Sequence, residues 1–194
     1  PHALYRRCSK YNAVLRGLQI PAFSARLETL CQGNKYTDTI HAINSGMLKL
    51  SKTTSAHTLY RGMAGLRLPD DFVAPDEYGI AGGVECGFMS ATTDAQVAQE
   101  YASGSRAGVL YEIQQGLSDR GADLCWLSQY PHEQEICFPP MTGLTVHTRN
   151  GVPAKRIVGA VTVVELQPSV ARSGIVQDES AVEELTEAVA SASR

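Results

Sequence analysis

Glu133-Gln134-Glu135-Ile136-Cys137-Phe138-Pro139-Pro140-Met141-Thr142-Gly143-Leu144 reads as a strand that opens on two carboxylates and is stopped by a proline pair. The apolar run Ile136–Phe138 is short and bounded by turn residues, the pattern of a buried strand. In an extended chain, residues two apart project to one face, so Glu133 and Glu135 point together. Like charges held that close raise the proton affinity of at least one partner, and the pair is costly unless it binds a cation or does chemistry. Two solvated carboxylates at a strand edge fit the same letters, so the pair alone decides the local fold and leaves the function open.

Outward from this stretch the chain divides by character. On either side lie further β-rich runs punctuated by Gly and Pro: Leu59-Tyr60-Arg61, Gly87–Ser90, Val109–Ile113, Leu144–His147 and Ile157–Leu166. The polar, Gly- and Pro-rich stretch Leu68–Glu85 is expected as a long surface loop. One helix interrupts the strands. Thr93-Asp94-Ala95-Gln96 has capping-box spacing, with Val97, Ala98 and Tyr101 as its inward face. The first third is helical instead. Tyr36, Ile40, Ile43, Met47 and Leu50 form one apolar stripe; Leu4, Tyr11, Val14, Leu15 and Leu18 form an earlier one. Residues 22–32 are expected as a third helix with Phe23, Leu27, Leu30 and Cys31 inward, and Gly33-Asn34 as the break after it. Residues 168–177 read as a linker and 178–190 as a weak amphipathic helix through Val182, Leu185 and Val189. Helices first and mostly antiparallel strands after make an α+β fold. The expected division is 1–167 as a catalytic domain and 168–194 as linker and acidic C-terminal helix.

Composition narrows the function classes. The chain has 194 residues, 43% hydrophobic and 19% charged, an ordinary globular balance. A net charge of −3 does not suit a nucleic-acid or membrane-surface binder. The net negative charge is local: Asp178, Glu179, Glu183, Glu184 and Glu187 outweigh Arg194 in the tail, so the rest of the chain is close to neutral. No run is apolar enough for a membrane span. Five cysteines (Cys8, Cys31, Cys86, Cys125, Cys137) are odd in number and without repeating spacing. They fit reduced thiols in a reducing compartment, hence a cytoplasmic location, though two bridges plus one thiol stay open. No close Cys pair suggests a zinc site, and no metal is expected.

Two further segments give the carboxylates a context. Tyr60-Arg61-Gly62 places an arginine on a strand beside a residue that lets a ligand approach the backbone. Arginine's planar fork suits a diphosphate. Phe88-Met89-Ser90-Ala91-Thr92 puts two hydroxyls on one strand face, with Phe88 read as a core residue. Arg61-Gly62, then Ser90-Ala91-Thr92, then Glu133-Gln134-Glu135, in that order, resembles the signature of the arginine-specific mono-ADP-ribosyltransferases, the cholera-toxin-like class of vertebrate ecto-enzymes and bacterial toxins. The resemblance extends from about Tyr36 to Leu166. It implies N-terminal helices packed on a mixed, mostly antiparallel two-sheet β core, with NAD as substrate and a protein arginine as acceptor, in a monomer. The family also has secreted members.

The resemblance assigns roles. Arg61 would pair with the NAD diphosphate, and the backbone of Gly62 would hold the nicotinamide carboxamide. Ser90 would orient Glu135, Thr92 would support the site, and Glu135 would bind the nicotinamide-ribose 2′-hydroxyl. A carboxylate fixed beside a developing oxocarbenium centre stabilises it, as in glycosidases. Nicotinamide leaves as a neutral ring, so no general acid is needed. Glu133 would orient the acceptor guanidinium and accept its proton, and in the family a Glu there accompanies arginine modification. Tyr130 matches an aromatic of the acceptor-recognition loop and could stack on a guanidinium; a surface tyrosine fits equally. Tyr101 is read as a helix core residue, with a place in the nicotinamide pocket as the other choice.

Other readings fare worse. His132-Glu133 opens like a zinc-protease motif, but position 136 is Ile where a second His is needed. Gly79-Ile80-Ala81-Gly82-Gly83 lacks the spacing of a dinucleotide-binding turn. Nothing local favours a Cys/His nucleophile built on Cys86 or Cys125. Two alternatives remain: an NAD glycohydrolase on the same fold, and a non-catalytic NAD- or peptide-binding module.

Overall fold

The apolar stripes form helices where their spacing places them. In the computed structural model, which describes residues 2–103, 107–128 and 130–171 (side chains at 2–8 and 26 aside), α1 spans His2–Gln19, α2 Ser24–Cys31 and α3 Thr37–Leu50. Ala13, Val14, Cys31, Ile40 and Met47 are buried. α1 and α2 approach so closely at Gly17 that a Cβ there would lie 2.8 Å from Leu27 Cβ. α2 ends on Gln32 and Gly33, both with positive φ, the left-handed termination expected at the Gly33-Asn34 break. Two expected core positions are wrong. Leu18 is in the last turn of α1 and Phe23 in the 3-10 turn Pro21–Phe23; both are exposed, because the proline turns the chain before either stripe is complete.

The remaining elements are β1 (Thr58–Ala64), β2 (Gly82–Glu85), β3 (Met89–Thr92), α4 (Ala95–Ala102), β4 (Gly108–Gln114), β5 (Ala122–Asp123) and β6 (Glu135–Phe138). They are followed by β7 (Thr142–Val146), β8 (Thr148–Arg149), β9 (Val152–Pro153), β10 (Lys155–Val158) and β11 (Val161–Ser169). The Leu68–Glu85 stretch is not all loop. It holds a 3-10 turn at Asp70–Phe72, whose Phe72 ring stacks on Tyr111 at 5.9 Å, and it ends in β2, which pairs with β7. The run from Ile157 to Leu166 breaks at Gly159, in left-handed conformation, into the hairpin β10–β11.

One sheet runs in the order β2-β7-β11-β4-β1-β3-β6-β5, with β10 added on β11; β8 and β9 make a separate small pair. Every pairing is antiparallel except β11 with β4, so the sheet is mixed and mostly antiparallel, an α+β fold. The β1–β4 ladder is registered from Thr58 to Ala64, whereas β1 and β3 share the single pair Tyr60↔Thr92. That junction separates the path into two parts. Leu59, Ile113 and Leu166 from one part and Met89 and Phe138 from the other lie in one core cluster.

Two compact units divide the chain, one reaching to Ser45 and the other Gly46–Val170; every site residue named above lies in the second. β11 continues through Ser169, and Val170 is buried with its N–H donated to Asp119 Oδ1 at 2.9 Å. The acidic helix expected over 178–190 lies outside the described residues. Among the described residues, Cys31, Cys86, Cys125 and Cys137 carry no disulfide. Among the described residues no helix is long and apolar enough to cross a membrane, and no group of three His, Cys, Asp or Glu could hold a metal ion.

Candidate active site

The site forms where β1 and β3 part. Past the Tyr60↔Thr92 pair the two strands are no longer laddered, and the Arg61 side chain spans the opening, its Nη1 donating to the Ser90 carbonyl at 2.5 Å. Gly62 comes next on β1. Its missing side chain makes room for α4: a Cβ would sit 1.7 Å from the Ala98 carbonyl oxygen and 2.7 Å from the Ala102 nitrogen. The helix therefore lies directly on the β1 backbone, and the buried positions on it are the small residues Ala98 and Ala102.

Ser90 and Glu135 meet across the β3–β6 ladder. Ser90 is registered opposite Cys137, so Glu135 is its diagonal neighbour, and the Ser90 hydroxyl donates to Glu135 Oε1 at 2.6 Å. A short O–H···O⁻ bond of this kind fixes the carboxylate's orientation. Glu135 Oε2 accepts no hydrogen bond among the described residues. The loop before the strand is anchored on the same residue's backbone, with the Leu124 N–H at 3.0 Å from the Glu135 carbonyl and Cys125 Sγ at 3.8 Å. Burial pushes the Cys125 thiol up to about 11, with Asp123 adding to the effect, which leaves it protonated and a poor nucleophile.

Glu133 is reached differently from the extended Glu-x-Glu expected. It ends a 3-10 turn, Pro131–Glu133, and Gln134 follows in the left-handed region at φ 46 before β6 begins at Glu135. Only Glu135 is in the strand. The turn at Pro131 and the reversal at Gln134 separate the two carboxylates' supports. Thr92, buried on β3, clamps the turn by donating to the Glu133 carbonyl at 2.6 Å while accepting from the Asp94 N–H at 3.0 Å. Thr93 donates its hydroxyl to Gln134 Oε1 and is not the helix cap. That role falls to Asp94, whose Oδ1 accepts from the Gln96 N–H at 2.8 Å.

Tyr101 corrects the reading of α4. It is 57% exposed, and its hydroxyl donates to Glu133 Oε1 at 2.9 Å. This hydrogen bond is the main cause of a raised Tyr101 pKa, with desolvation and the nearby charges of Glu133 and Glu135 behind it. Because Gly62 draws Ala98 and Ala102 inward, Val97, Glu100 and Tyr101 form the opposite edge of the helix. With His132 and Glu133 they line a groove of about 260 Å³. Sequence spacing read Val97 and Tyr101 as the inward face of the helix, with the nicotinamide pocket as the other choice for Tyr101; His132 drew notice only through the zinc-protease-like His132-Glu133 pair, and Glu100 carried no signal. Tyr130 is 44% exposed on the loop before the 3-10 turn, its ring edge-on to His132 at 6.0 Å. Phe88 is half-buried just before β3, outside the core cluster. Trp126 and Leu127 are exposed on the same loop as Tyr130.

No protein-family model and no curated protein matches this chain. Solved structures do. The ADP-ribosyltransferase Vis of Vibrio splendidus, solved with agmatine, superposes with a TM-score of 0.56 at 18% identity, over 89% of this chain and 77% of Vis. Exoenzyme S of Pseudomonas aeruginosa, solved with carba-NAD and human 14-3-3 beta, gives 0.51 at 19% identity over 89% and 82%. The ADP-ribosyltransferase HopU1 of Pseudomonas syringae gives 0.52 at 25% identity, over 70% of this chain and 55% of HopU1, so this chain spans about half of that protein. The fold these structures share is that of this chain.

Proposed function

We propose that this chain, which has the fold of the mono-ADP-ribosyltransferases, transfers ADP-ribose from NAD to an arginine side chain and releases nicotinamide. One observation carries the reading: Ser90 holds Glu135 at 2.6 Å in the opening that Arg61 spans, with Glu133 held separately by Tyr101. These residues fit NAD. Arg61 offers a guanidinium fork to a diphosphate, and the β1 backbone at Gly62 is unladdered on its β3 side. Glu135 keeps one carboxylate oxygen for a ribose hydroxyl.

In this reading Glu135 acts on the nicotinamide ribose. As the glycosidic bond breaks, its electron pair returns to the pyridinium nitrogen and nicotinamide leaves neutral, while positive charge develops at the ribose anomeric carbon. A carboxylate already oriented beside that carbon contributes roughly 3 kcal/mol, since nothing must reorganise as the charge appears. Glu133 orients the acceptor. An arginine side chain has a pKa above about 12, so its guanidinium attacks only when a carboxylate aligns it and takes the proton it loses. The agmatine complex of Vis and the carba-NAD complex of Exoenzyme S support ligands of these two kinds on the shared fold. Arginine as acceptor and the role given to each residue belong to this proposal.

The test is purified protein with NAD, with and without agmatine, resolved by mass spectrometry. Agmatine carrying one ADP-ribose is the expected product. Nicotinamide and free ADP-ribose alone would replace transfer with NAD hydrolysis, a reading favoured by the exposure of Ser90, which leaves water a path to Glu135. No consumption of NAD would overturn the enzymatic reading.

A further inference from the structure

The groove between α4 and the Pro131–Glu133 turn is lined by Glu133 and by none of the residues given to NAD. Its make-up is specific: an exposed aromatic ring (Tyr101), two carboxylates (Glu100 and Glu133), an apolar side chain (Val97) and an imidazole (His132). A guanidinium is planar, cationic and weakly hydrated. It stacks on aromatic faces and donates in its own plane to carboxylates. Lysine's compact ammonium gains less from a ring and a flat slot. The hydroxyl of Tyr101 also occupies Glu133 Oε1, which sets the direction of the remaining oxygen.

We propose that this groove is the seat of the acceptor guanidinium, with Tyr101 the positioning residue that aims Glu133 and Glu100 a second carboxylate for the cation. The inference rests on the transferase reading and adds to it the helix α4, whose last turn carries both residues. It gives α4 a task beyond packing. Gly62 seats the helix on β1, and the resulting rotation turns Ala98 and Ala102 inward and leaves Glu100 and Tyr101 facing Glu133.

Steady-state kinetics with agmatine and NAD test it on the wild type, Tyr101→Phe and Glu100→Gln. Tyr101→Phe keeps the ring and removes one hydrogen bond. It is expected to raise the KM for agmatine about fivefold and to move the KM for NAD by less than about twofold. Glu100→Gln removes one exposed charge and is expected to raise the KM for agmatine about threefold, again with less effect on NAD. Both positions are exposed, and circular dichroism checks that each variant folds. If either folded variant shifts the two KM values equally, or shifts neither, the groove assignment is overturned while the transferase reading stands. If the wild type forms no ADP-ribosyl-agmatine, both fall together.

Discussion

A 2.6 Å hydrogen bond between one serine and one glutamate is the smallest unit on which the proposed chemistry depends. Glu135→Gln keeps the shape and removes the charge. NAD cleavage is expected to fall by about two to three orders of magnitude in kcat, measured as nicotinamide release. Ser90→Ala leaves the carboxylate in place but unaimed, and a fall of about tenfold in kcat with little change in the KM for NAD is expected from the same assay. Glu133→Gln should lower the ratio of agmatine transfer to NAD hydrolysis by about tenfold or more; an unchanged ratio would remove Glu133 from the acceptor step. Arg61, Ser90, Thr92 and the glutamate pair were singled out by the resemblance their order carries, and the structure brings Arg61 to Ser90, Ser90 to Glu135 and Thr92 to Glu133. The place of Tyr101 was not legible, because an aromatic at helical spacing reads the same whether it faces a core or a groove. Which face α4 turns inward is decided by Gly62, thirty-odd residues away.

At the scale of elements, the helices and most strands followed from periodicity, and two of the departures share a cause. Local patterning does not encode a turn made by one residue of unusual φ. Gln134 converts an expected extended Glu-x-Glu into a 3-10 turn followed by a strand, and Gly159 converts one apolar run into a hairpin. Strand β2 was hidden for another reason. Gly82-Gly83-Val84-Glu85 has poor strand propensity and forms only because β7 offers it a ladder. The seat of α4 on β1 is the most demanding contact between elements. Gly62→Ala would force a Cβ to within 1.7 Å of a backbone oxygen. Because that neighbour is main chain, the substitution should cost about 3 kcal/mol in urea unfolding, together with loss of transfer as Tyr101 is carried away from Glu133.

For the molecule as a whole, one buried ring links stability to alkaline pH. Tyr111 lies in the core against Phe72, and burial pushes its hydroxyl up to about 12 from an ordinary 10. The folded value is the higher one, so the folded state holds the proton through a range in which the unfolded chain has lost it. The associated stability is intact below pH 10 and is lost as pH rises toward 12, by about 3 kcal/mol in all. Chemical denaturation across that range should show this slope, and Tyr111→Phe should remove most of it.

Sheets normally expose raw backbone only at their outermost strands, where proteins guard it against strangers. Here the strand path is also opened at its centre, past Tyr60, so the molecule has an inner margin of unladdered backbone as well as its outer ones. Under the function proposed above, that inner margin is where a ligand's amide would find the partners that a neighbouring strand otherwise supplies.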